Sequence, residues 1–157
     1  MCVRVDIFNA IAAIGTLLSA IFAAVSAYQA KKSAEQTHNI AIRNEHNELD
    51  KKLEDILKIA IKYPYLEYRG FTSKWNEQKD RNDIRYIRYD NFCNLLFNYL
   101  HKVYEVFDGD KAKIENYIDI RNWIYLHEDN WKNPIIPHEN IEGYDEKFRD
   151  FINSYIK

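Results

Sequence analysis

The stretch Ile7–Ala30 reads IFNAIAAIGTLLSAIFAAVSAYQA, without a charged residue, and is stopped by Lys31 and Lys32. A helix rises about 1.5 Å per residue, so some 20 apolar residues cross a hydrocarbon layer of roughly 30 Å. The stretch therefore predicts a transmembrane helix over residues 7–30. The leading segment MCVRVD balances Arg4 with Asp6, and the apolar run is longer than a usual signal-peptide core. An uncleaved anchor is expected rather than a signal peptide, although Val25-Ser26-Ala27 would suit a signal peptidase. Arg4 precedes the run, whereas Lys31, Lys32 and Arg43 follow it. That bias predicts a single-pass protein of the inner (cytoplasmic) membrane with its C-terminal domain in the cytoplasm.

The span has internal texture. Gly15, Ser19, Ala23 and Ala27 recur at four-residue steps, as do Ala12, Thr16, Ala20 and Ala24. The two rows are adjacent on a helix and make one broad face of small residues. In lipid, helix association depends on close backbone approach, which such a face permits. These eight residues are the candidate oligomerisation or pore face, and an Ala-rich monomeric anchor is the alternative.

Beyond the span, residues 31–48 are polar, without Gly or Pro, and predict a helical spacer. Residues 49–157 read as a small cytoplasmic all-α domain. Leu49, Leu53, Ile56, Leu57 and Ala60 give one buried helical face, ended by Pro64. Residues 65–82 are less periodic and predict a short helix or a loop. From about Asp83 a strong helix begins, with Phe92, Leu96, Leu100 and Val103 at helical spacing, and Asp108-Gly109-Asp110 makes a turn. A second helix through Ile114, Tyr117, Ile118, Trp123 and Ile124 is expected to pair with it as an antiparallel hairpin. Asn133-Pro134 and Pro137 stop that helix, and a last one is expected over about Tyr144–Ile156.

Net charge is −2, so no global electrostatic footprint for nucleic acid is present. Cys2 and Cys93 cannot form a disulfide framework, and reduced thiols agree with a cytoplasmic domain. Arg81, Arg85 and Arg88, interleaved with Tyr86 and Tyr89, read either as a phosphate-tracking stripe or as a face salt-bridged to Asp80, Asp83 and Asp90; the second is favoured. His38 and His46 lie among Glu35 and Glu45 without recognisable ligand spacing and are assigned to solvent. No metal and no cofactor are expected. No phosphate loop, zinc-protease motif, paired CxxC or nucleophile elbow occurs.

One constellation remains: Arg121 and Asn122, then His127, with five residues between the Arg and the His. It resembles the motif of HEPN domains, helical bundles many of which are metal-independent RNases with a site shared between two protomers. That resemblance implies Arg121, Asn122 and His127 as catalytic or degenerate site residues. An Arg binds a phosphate through two donors, and a His exchanges protons near neutral pH. Six helical steps separate the two by about 120° of rotation, so convergence requires a distortion near Leu126. The other reading makes Arg121 a solvated or ion-paired residue and His127 part of a helix C-terminus.

The span, the helical domain and the loose Arg…His motif together resemble the small membrane accessory proteins of type VI-B CRISPR systems. The resemblance implies an all-α, HEPN-like, self-oligomerising protein that forms a pore-like membrane assembly. It further implies action beside an RNA-guided RNA nuclease in antiphage defence, more as an accessory than as an enzyme. A membrane-tethered RNase using Arg121 and His127, with RNA as partner, is the alternative, and a passive scaffold a third.

Overall fold

The computed structural model describes residues 3–79, 82–136 and 141–156; for residues 3–18, 20 and 21 it describes the backbone alone. Among the described residues every regular element is helical: α1 (Val3–Lys62), α2 (Arg69–Thr72), α3 (Trp75–Gln78), α4 (Ile84–Val106), α5 (Lys111–Tyr117), α6 (Ile120–Lys132) and α7 (Glu146–Asn153). A 3-10 turn at Pro64–Glu67 follows α1. The chain divides into two compact units, Met1–Glu45 and His46–Lys157.

In the first unit, every side chain from Phe22 to Glu45 is exposed. Among the described residues no helix is long and apolar enough to cross a membrane. This corrects the predicted transmembrane helix over residues 7–30, and with it the inner-membrane location and the membrane pore. α1 is one helix from Val3 to Lys62, and from Lys31 on it carries charged and polar side chains. Of the small-residue face, Ser19, Ala23, Ala24 and Ala27 are exposed, whereas the side chains of Ala12, Gly15, Thr16 and Ala20 lie outside the described residues.

The second unit is built round α4. Tyr89, Phe92, Cys93, Leu96, Leu100 and Val103 recur at three- and four-residue steps and are all buried. Burial of each large apolar side chain contributes about 1.5–3 kcal/mol relative to exposure. Leu49, Ile56 and Ala60 join this core from the last turns of α1, whereas Leu57 is turned outward at 40% exposure. Trp131 meets Phe97 at 4.7 Å and Tyr144 at 5.8 Å between ring centres, and fully buried Phe148 brings in α7.

Four helices begin on an aspartate. Asp83, Asp110, Asp119 and Asp145 accept backbone N–H groups at the starts of α4, α5, α6 and α7. Each such cap satisfies donors that a helix leaves unpaired and contributes about 1 kcal/mol. Asp119 explains a difference from the sequence expectation. The single helix expected after Gly109 is two, because Ile118 is extended (φ −140°, ψ 155°) and Asp119 restarts the chain as α6. It is α6 that packs against α4. At the end of α4, Gly109 N–H donates to Tyr104 O at 2.8 Å and Asp108 N–H to Glu105 O at 3.2 Å. This is a Schellman closure, which sets Asp108 (φ 52°) and Gly109 (φ 68°) in the left-handed region.

Candidate functional site

The residues of the Arg…His motif all lie on α6. Arg121 occupies its first turn with a side chain 69% exposed and folds back on Glu115. Its Nη2 donates to both Glu115 oxygens at 3.0 Å, and its Nε to Oε1 at 3.3 Å. Tyr155 OH donates to the same Oε1 at 3.0 Å. Arg121 thereby holds the Glu115 carboxyl below the usual carboxylate range. Asn122 is exposed, and its N–H is taken by the Asp119 cap at 3.3 Å. A shallow pocket of about 260 Å³ beside Arg121 is lined by two carboxylates, Glu115 and Asp119. A phosphate entering there would meet a neutralised guanidinium and a second acid.

His127 lies in the core, fully buried. Its Nδ1 faces Tyr89 OH at 3.1 Å and Cys93 Sγ at 3.8 Å, and its ring meets Phe92 at 5.7 Å. Tyr89 OH and Nδ1 share one hydrogen bond, and Nε2 is buried without a partner among the described residues. Burial disfavours the charged imidazolium and brings the His127 pKa down to about 3. Burial likewise raises the Cys93 thiol and the Tyr89 phenol.

Thus α6 places Arg121 at the surface and His127 inside, as its unbroken helical rotation over Ile120–Lys132 requires. No distortion near Leu126 brings them together. The Tyr89–Cys93–His127 cluster escaped sequence reading, although Tyr89 and Cys93 stand four residues apart on the buried stripe of α4. Two potential soft ligands do not make a metal centre, and among the described residues no group of three or more His, Cys, Asp or Glu is placed to hold a metal.

The arginine stripe is also distributed. Tyr86 and Tyr89 are buried. Arg85 donates to both oxygens of Asp83, each 3.1 Å from its Nε. Arg88 donates to Tyr65 OH at 2.6 Å and lies 4.1 Å above the Tyr63 ring. Arg81 and Asp80 lie outside the described residues. His38 is exposed, but His46 is half-buried against Phe107 at 5.3 Å, which corrects its assignment to solvent.

Two short helices are tied to α6. Arg69 on α2 donates to Tyr125 O and, at 3.2 Å, to Glu128 Oε1, with its guanidinium 4.0 Å above the Tyr125 ring. On α3, Trp75 Nε1 donates to Asn133 O at 2.9 Å, and Lys79 follows at 3.3 Å. A groove of about 490 Å³ elsewhere is lined by the apolar side chains Ile56, Ile59 and Leu95 and also by Lys52, Asp55, His101 and Lys102. No protein-family model, no curated protein and no solved structure matches this chain.

Proposed function

We propose that this protein is a self-associating accessory protein of HEPN-like helical build, acting beside an RNA-guided RNA nuclease in antiphage defence without cleaving RNA itself. The observation that carries self-association is the exposure of α1 from Phe22 to Glu45, with Phe22 at 71%, Tyr28 at 68% and Ile40 at 57%. A long helix without a packed face gains little from propensity alone and is stabilised by burying apolar side chains against another helix. Covering Phe22 and Tyr28 in this way would contribute about 1.5–3 kcal/mol each. Ser19, Ala23 and Ala27 fall at four-residue steps, and small side chains let a second backbone come close.

The RNase alternative needs Arg121 and His127 together at a phosphate. Burial of His127 in neutral form and engagement of Arg121 by Glu115 argue against it. Light scattering on the full-length protein tests the proposal. The wild type is expected as a discrete oligomer, and Ala23→Glu with Ala27→Glu as a smaller species with unchanged helical content. A monomeric wild type, or an oligomer of the same mass in the double variant, would refute it.

A further inference from the structure

We propose that the pocket between the α2–α3 segment and the start of α4 binds a nucleotide unit, a planar base carrying a phosphate. This goes beyond self-association and does not rest on it. The pocket measures about 350 Å³, at the lower end of the range for small-ligand sites. Its wall is aromatic: Phe71 stacks on Tyr86 at 4.3 Å with the rings 15° apart, and Tyr65 meets Phe71 edge-on at 4.8 Å. Tyr68, 66% exposed, stands at the rim as a free stacking surface. Gly70 keeps it there. A Cβ at Gly70 would fall 2.6 Å from Tyr68 Cε1, so a larger residue there would displace the ring.

The polar groups suit a phosphate and a base edge. Lys74 is exposed and makes no ion pair among the described residues, and Arg85 and Gln78 complete the polar lining. Among the described residues no carboxylate lines the pocket, although Asp83 and Glu77 act electrostatically on Tyr86 in its wall. The acid in contact with its cations is Asp83, which engages Nε and Nη2 of Arg85 and leaves Nη1 without a bond among the described residues. Lys74 then serves as a point charge and Arg85 Nη1 as a directional donor to one phosphate. The Gln78 amide, able to donate and accept, is placed for a base edge. Stacking on an exposed tyrosine is the usual way in which single-stranded bases are held. Arg85 is held by Asp83 much as Arg121 is held by Glu115, so what singles out this site is Lys74, a cation without an ion pair among the described residues, beside an aromatic wall.

Calorimetric titration of the full-length protein at low salt tests the proposal with AMP, adenosine, inorganic phosphate and a short oligoadenylate. AMP is expected to bind more tightly than adenosine or phosphate. Lys74→Ala should weaken AMP about tenfold while leaving adenosine unchanged, since it removes one charge-assisted contact. Tyr68→Ala should weaken AMP and adenosine alike, by about tenfold or more, from the loss of stacking. Both residues are exposed, so both variants should keep wild-type circular dichroism. Oligoadenylate binding much more tightly than AMP, with a steep salt dependence, would make the source a single strand; equal affinities would make it a free nucleotide. Absence of AMP and oligoadenylate binding, phosphate competing as well as AMP, or affinity unaltered in both variants would overturn the proposal.

Discussion

Lowering the pH from 7 to 5 should destabilise the helical domain through His127. In the unfolded chain its imidazole titrates at 6.5, whereas in the core burial brings it down to about 3. Between these values the unfolded chain holds a proton that the native state refuses, so stability rises with pH across that window. The contribution is fully present above about pH 6.5 and is lost progressively as the pH falls toward 3. Each pH unit inside the window removes about 1.4 kcal/mol, so pH 5 costs about 2 kcal/mol relative to pH 7. Against a typical domain stability of about 5–15 kcal/mol, that is measurable. Urea unfolding followed by tryptophan fluorescence at both pH values provides the assay, with His127→Gln as the non-titrating reference. The variant loses intrinsic stability because Tyr89 meets a different partner, so the comparison rests on the pH slope. The carboxylates are common to both proteins and cancel. Equal losses in wild type and variant between pH 7 and 5 would refute the reasoning.

Gly109→Ala should destabilise the domain by about 1 kcal/mol or more, because alanine is strained at positive φ; its Cβ would also fall 2.8 Å from Tyr104. Thermal melts read the loss, and an unchanged midpoint would mean that the α4–α5 turn relaxes freely. Asp119→Ala should cost about 1 kcal/mol by removing the α6 cap, and Asp119→Asn should restore most of it. Failure of Asn to rescue would show that charge, not the cap hydrogen bond, sets the start of α6.

The long elements were legible because periodicity and punctuation agreed. α4 shows its three- and four-residue spacing between an Asp and an Asp-Gly turn, and Pro64 marks the end of α1. The break between α5 and α6 was not legible. Ile114, Ile118, Ile120 and Ile124 all enter the core, so the apolar pattern runs on through a residue that leaves the helix. The charge-free run over residues 7–30 met a length rule, but it belongs to a 60-residue helix that is charged and polar from Lys31 on. The Arg121–His127 spacing did foretell two faces, one for solvent and one for the core. Of the proposed nucleotide pocket only Arg85 and Tyr86 left a trace, in the arginine–tyrosine stripe; the rest of its wall comes from residues 65–78, where two four-residue helices are too short to carry a period.

The anchor of α3 is chemically one-sided. Trp75 lands on the main-chain carbonyl of Asn133, whereas Arg69 adds the Glu128 carboxylate and the Tyr125 ring to the Tyr125 carbonyl. Every residue type supplies a main-chain acceptor. Sequence drift at Asn133 would leave this particular tether in place, whereas Trp75→Phe removes the indole donor and leaves that carbonyl to Lys79. Over evolutionary time the memory of this arrangement is held on one side of the contact, and variation will collect on the other.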